Sequence, residues 1–141
     1  MSNSKNNDFL LDKAKKVICY EIDKDLIPIL KEVFKDKTNF EVIHKDFLKV
    51  DLSKEINFSE YKKVVVASNL PYYITSPVIM ALLEQNLPLT SITVMVQKEA
   101  AERLTAKIPS RNVGSISYTV NYYSTPEYLF NVSRGCFMPP P

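Results

Sequence analysis

Short runs of β-branched and aromatic residues alternate along this chain with stretches of helical apolar spacing. Val17 to Ile22 (VICYEI), Phe40 to His44 (FEVIH), Val64 to Ser68 (VVVAS) and Ser91 to Gln97 (SITVMVQ) have the length and composition of strands. Between them, Asp25 to Phe34 carries Leu26, Ile29, Leu30 and Val33 at helical spacing, with Pro28 in the first turn. Pro77 to Glu84 (PVIMALLE) predicts a second helix, and Lys98 to Lys107 a third with Ala100, Ala101 and Leu104 as its buried side. Phe9 to Lys16 reads as the tail of a helix, residues 1–8 as a polar, disordered lead-in, and Lys54 to Lys63 as a charged connection in which Tyr61 closes the core. Ser115 to Tyr123 and Glu127 to Val132 predict an antiparallel pair across Ser124-Thr125-Pro126, before a proline-extended end at Ser133 to Pro141. The alternation implies an α/β class with a largely parallel sheet.

The chemistry concentrates in NLPYYITSP, Asn69 to Pro77, directly after the third strand. Pro71 bars Leu70 from helix and lacks a backbone donor, so the chain is held extended where strand passes into loop. Thr75-Ser76-Pro77 reads as a helix start with a hydroxyl cap. An amide, a backbone carbonyl and two tyrosine rings with polar tips are thereby placed at the C-terminal edge of a sheet, where open α/β folds bind ligands. An Asn oxygen and a carbonyl can accept both hydrogens of an exocyclic amine, and a Tyr ring can stack on a planar base. That arrangement suits methyl transfer to a nucleobase, although a strand-end Asn capping a turn accounts for the same residues.

Composition narrows the classes. The 45% apolar content over 141 residues suits one domain with a real core, and no stretch is long and apolar enough to span a membrane. Net charge is +2, with 13 Lys against 12 acidic residues in 1–63 and 5 basic against 4 acidic in 64–141, so charge alone does not mark a nucleic-acid surface. Cys19 and Cys136 lack metal-ligand spacing and read as reduced, packed thiols of an intracellular, cytoplasmic protein; the single histidine, His44, excludes an imidazole-built metal site. Only two glycines occur, Gly114 and Gly135, against a usual share of roughly 7%. The Gly-rich first turn by which open α/β sheets usually approach nucleotide-like cofactors is therefore not among these residues. Glu21, at a strand end, reads either as a ribose-diol acceptor or as a solvated strand-tip acid, and Asp23 as a helix cap.

NLPYYITSP, with QKEAAERLTAKI at Gln97 to Ile108 and CFMPPP at Cys136 to Pro141, resembles the ribosomal RNA adenine dimethyltransferase family, in particular its small-subunit type. The likeness runs from about Lys15 to Pro141. It implies a Rossmann-like S-adenosylmethionine-dependent methyltransferase fold in which the first strand and glycine-rich turn have no counterpart, with residues 15–141 a partial catalytic domain, 1–14 a lead-in, and the family's C-terminal helical domain absent. By that resemblance Glu21, Asp46, Phe47 and Asn69 bind S-adenosylmethionine, Asn69 and the Pro71 carbonyl hold the adenine amine, and Tyr72 and Phe137 clamp its ring. Asp46 also reads as a simple turn former. Lys98, Arg103 and Lys107 form the candidate RNA-binding face, or else a solvated helix face. The implied partner is small-subunit ribosomal RNA or a pre-ribosomal subunit, and an open sheet edge implies homo-oligomers. As a truncated form the chain is expected to lack tight cofactor binding on its own. The alternatives are a non-catalytic rRNA-binding or ribosome-assembly protein, or an adenine methyltransferase acting on large-subunit rRNA or DNA.

Overall fold

A computed structural model describes residues 10–136. The lead-in over 1–8 and the terminal segment carrying Phe137 therefore lie outside the described residues. The chain divides into two compact units, Met1–Met95 and Val96–Pro141.

The first unit is built from parallel strands. A helical turn over residues 10–13 precedes β1 (Val17–Glu21); α1 (Leu26–Val33) then leads to β2 (Phe40–His44), parallel to β1 with Val17 opposite Phe40 and Glu21 opposite His44. Alternation along β1 turns Val17, Cys19 and Glu21 inward, and Leu11, Leu30 and Phe34 close over Val17 and Cys19 with Phe40 and Val42 packed alongside. The Asn39 amide fixes the entry to β2, donating to the carbonyls of Leu11 at 3.1 Å and Ala14 at 3.0 Å. Those carbonyls end the turn over 10–13 and would otherwise be orphaned.

The link from β2 to β3, which includes the expected charged connection Lys54 to Lys63, contains structure. A 3-10 turn at Phe47–Lys49 is followed by the short α2 (Leu52–Glu55) and a second 3-10 turn at Phe58–Glu60. Tyr61 is half-buried, with the Lys15 ammonium 5.7 Å from its ring centroid. β3 (Val65–Asn69), α3 (Thr75–Glu84) and β4 (Ser91–Met95) complete the unit, with β4 parallel to β3. Val50, Leu52, Val78, Ile79 and Leu82 are buried, and Gln85 ties the link to α3 by accepting from Leu52 N–H at 3.1 Å and donating to Ala81 O at 3.1 Å. Past the end of α3 and its C-cap Gln85, Asn86 has a φ of 50°, the left-handed conformation common after a last helical turn.

The strands form two parallel pairs, β1–β2 and β3–β4. Val17 N–H bonds to Asn39 O and Lys45 N–H to Glu21 O, so the odd residues of β1 address β2 and Ile18 and Tyr20 address the other edge. Likewise Val64 O and Leu70 N–H bond on the β4 side, leaving Val65, Ala67 and Asn69 to address the opposite edge. Neither of these edges has a backbone partner among the described residues.

In the second unit, α4 (Lys98–Leu104) packs against α5 (Ser115–Tyr123). This corrects the expectation of a strand at Ser115 to Tyr123. The alternation of SISYTVNY reads as period two, but the inward residues are Ile116, Ser117 and Val120, a helical set. Ser117 is fully buried; its hydroxyl accepts from Gly114 N–H at 3.0 Å and donates to Arg103 O at 2.6 Å, holding the start of α5 against the end of α4. The second expected strand, Glu127 to Val132, has no regular structure and is exposed throughout, so there is no antiparallel pair among the described residues. Nor is Cys136 packed: it is exposed, beside the Ser133 hydroxyl at 3.3 Å, whereas Cys19 is buried as expected. No helix among the described residues is long and apolar enough to cross a membrane.

Candidate active site

The candidate residues of the first unit sit at the C-terminal ends of β1, β2 and β3, and packing draws two of these ends together. Phe47–Lys49, just past β2, packs against α3, the helix that follows the Asn69 loop. Glu21, Asp46, Phe47 and Asn69 thus belong to strand ends of one compact unit.

Glu21 is 2% exposed, with Oε1 accepting from Asp23 N–H at 3.0 Å. A solvated strand-tip acid is thereby excluded. A buried carboxylate loses hydration, and a fold keeps one there only with compensating bonds or a function. Asp23 is not a helix cap; its carboxylate accepts from Asp25 N–H at 2.9 Å, and Asp25 is the N-cap residue. Asp46 caps the 3-10 turn, Oδ1 accepting from Leu48 N–H at 3.0 Å, while Oδ2 makes no hydrogen bond among the described residues. Phe47 is half-buried, its ring meeting that of Tyr20 edge-on at 5.5 Å and 63°.

At the end of β3, the half-buried Asn69 makes no side-chain hydrogen bond among the described residues. Leu70 anchors the loop: its side chain is buried and its N–H donates to Met95 O at 2.9 Å. Pro71, with φ −59° and ψ 151°, keeps the chain extended and turns it into the 3-10 turn Tyr72–Ile74, where Tyr72 is 72% exposed. The expected hydroxyl cap of α3 is replaced by a different bond. Ile74 is the N-cap residue with no side-chain capping, and the Thr75 hydroxyl instead reaches back to donate to Pro71 O at 3.0 Å.

That bond alters the assignment of the amine acceptor. Pro71 O already accepts from Ile74 N–H at 3.2 Å as well as from Thr75, so both of its lone pairs are engaged. The Leu70 carbonyl, one residue earlier, has no partner among the described residues. Sequence reading missed it because proline draws attention to its own carbonyl. The available signal was Thr75, four residues on, which is the spacing at which a hydroxyl bonds back to a carbonyl.

The basic set is also revised. The α4 helix ends at Leu104, so Lys107 lies beyond it, and Lys98 and Arg103 are about 140° apart around the axis at 100° per residue. All three are exposed but do not form one helix face, while Leu104 is buried as expected. Phe137 lies outside the described residues, and its pairing with Tyr72 stays an expectation.

Parallel strands interleaved with helices define an α/β fold, and that fold resembles the Rossmann-like methyltransferases. The crystal structure of a dimethyladenosine transferase from Plasmodium falciparum resembles it with a TM-score of 0.73 and 32% identity over 94% of this chain and 45% of that one. A crystal structure of the 23S rRNA methyltransferase ErmE matches with a TM-score of 0.57 and 30% identity over 70% of this chain and 37% of that one. Residues 7–141 match the family model described as ribosomal RNA adenine dimethylase, and the chain belongs to that family. Among its relatives, proteins named ribosomal RNA small subunit methyltransferase A from Oceanobacillus iheyensis and Bacillus pumilus are 45% and 46% identical over 91% and 94% of this chain. The chain spans under half the length of these relatives, 44% and 46%.

Proposed function

We propose that these residues carry the adenosine-binding and base-binding parts of an adenine N6-dimethyltransferase acting on small-subunit ribosomal RNA. The observation that carries the reading is a pair of acceptors at the end of β3 with no hydrogen-bond partner among the described residues, the Asn69 amide and the Leu70 carbonyl, next in the chain to an exposed Tyr72. Asn69 Oδ1 accepts one hydrogen of the exocyclic amine and Leu70 O the other, in place of the engaged Pro71 carbonyl. Two acceptors so placed draw the nitrogen lone pair out of conjugation with the ring, and orientation rather than a general base then supplies the catalysis. Tyr72 is assigned to one face of a base presented unstacked, and Phe137 is assigned a stacking role by the family resemblance alone.

The residues at the other strand ends fit S-adenosylmethionine. Glu21 is assigned to the ribose hydroxyls and the open Oδ2 of Asp46 to the amine of the cofactor adenine, with Phe47 beside its ring. Bound there, the cofactor supplies an electrophilic methyl group. The edges of β1 and β3 that have no backbone partner among the described residues support a family sheet in which a further strand, with a glycine-rich turn, lies between them and holds the methionine half. Lys98, Arg103 and Lys107 are assigned to scattered phosphate contacts, and the cytoplasm, where pre-ribosomal subunits would be met, to the place of action. The open edges also favour homo-oligomers, which sedimentation would detect.

Calorimetric titration with adenosine and with S-adenosylmethionine tests the cofactor reading. Both are expected to bind with affinities within a few fold, because the assigned contacts all address the adenosine half; tight binding of S-adenosylmethionine alone would refute that division. Transfer of labelled methyl groups to immature small subunits but not to duplex DNA tests the substrate. Binding to rRNA indifferent to S-adenosylmethionine, without transfer, would favour a non-catalytic assembly role.

A further inference from the structure

We propose that Tyr20, Glu55 and Lys45 act as positioning residues for Phe47, setting the ring wall of the adenosine site; this rests on the reading that Asp46 and Phe47 take the cofactor's adenine. Tyr20 lies on the face of β1 opposite the buried Val17, Cys19 and Glu21. Its ring meets Phe47 edge-on, and its hydroxyl donates to Glu55 Oε2 at 2.8 Å. The other oxygen of the same carboxylate, Oε1, takes the Lys45 ammonium. One carboxylate on α2 therefore ties together a strand residue under the Phe47 ring and the residue immediately before Asp46-Phe47.

Stability gives little reason for such a set. An ion pair open to solvent is worth little, because water screens it and two long side chains must be held still. What the set does accomplish is geometric. With Lys45 held from one side and the Phe47 ring from the other, the Asp46-Phe47 backbone between them has few alternatives. Asp46 Oδ1 is already spent on Leu48 N–H, so the direction of its free Oδ2 follows from the same turn. A ring wall and a carboxylate acceptor thus share one support, as recognition of a planar base bearing an amine requires.

The test titrates adenosine into the wild type, Tyr20→Phe, Glu55→Ala, Glu55→Gln and Phe47→Ala chains, with the Phe47 ring resonances followed in phenylalanine-labelled protein. Tyr20→Phe and Glu55→Ala are expected to weaken adenosine roughly 3- to 10-fold, the scale of one lost hydrogen bond, and to move the Phe47 ring signals. Glu55→Gln keeps an acceptor for the Tyr20 hydroxyl but gives up the Lys45 ion pair, and is expected to recover part of the loss, binding between Glu55→Ala and wild type. A role in stability alone would lower the melting temperature without this rescue and without moving the ring signals. Wild-type affinity in both Tyr20→Phe and Glu55→Ala, with Phe47→Ala weakened, would overturn the positioning role and leave the adenosine site standing. Wild-type affinity in Phe47→Ala, or no adenosine binding by any chain, would overturn the underlying reading together with it.

Discussion

Replacing Thr75 by valine removes one hydroxyl and keeps the shape of the side chain, which isolates the bond that sets the loop after Asn69. Thr75 is 3% exposed, and its hydroxyl donates to Pro71 O at 3.0 Å. In Thr75→Val that carbonyl retains only Ile74 N–H, at 3.2 Å. Since one partner remains, the cost falls at the low end for a buried polar group losing a bond, about 1 kcal/mol. With a urea slope near 2 kcal/mol per molar, the unfolding midpoint drops by about 0.5 M. Thr75→Ser, which keeps the donor and loses only a methyl group, is expected to preserve the hydrogen-bonded shift in carbonyl-region spectra of Pro71. Urea unfolding followed by circular dichroism, with Pro71 labelled at its carbonyl carbon, measures both quantities. An unchanged midpoint together with an unchanged Pro71 carbonyl shift in Thr75→Val would refute the claim that this hydroxyl engages Pro71. The acceptor assignment to Leu70 would lose its basis at the same time.

Asn69→Ala is expected to weaken adenosine-based substrate binding or methyl transfer to immature small subunits by on the order of 100-fold, as loss of a preorganised polar contact does; retained transfer would count against its role. Asn39→Leu leaves the Leu11 and Ala14 carbonyls without their amide donor and is expected to cost about 2 kcal/mol, lowering the melting temperature by roughly 6–10 °C in calorimetry. Leu82→Ala, at a fully buried position of α3, is expected to cost about 3 kcal/mol in urea unfolding. The Glu55 carboxyl is held below its ordinary value of 4.5, chiefly by the bond from Lys45 and then by that from Tyr20. A depressed carboxyl contributes stability fully above its unfolded value and loses it as pH falls through the lower folded value. The stability difference between wild type and Glu55→Gln should therefore be constant above about pH 5 and shrink on acidification, and a difference that grows in acid would contradict the bonding described.

The element order of the first unit was legible in the sequence because its determinants are local. Pro28 and Pro71 restrict their own torsions and those of their neighbours, and β1 through β4 lie within a residue or two of the expected runs. The motif from Asn69 to Pro77 announced a strand end carrying an amide and aromatic rings, and the family match over residues 7–141 agrees with that reading. What required tertiary structure depended on partners distant in the chain. SISYTVNYY became helix because Ser117 is bonded to Arg103 O, fourteen residues away, and the buried pair Ser117 and Val120 lies at helical spacing. The expected edge pair failed because Glu127 to Val132 buries no face that would hold it in a sheet. The burial of Glu21, the clamp on Tyr20 and the split of the strands into two pairs likewise follow from which surfaces meet. Periodicity along a chain states which residues can share a face, whereas which face is covered, and which carbonyl is left open to a ligand, is decided only by what the fold brings against it.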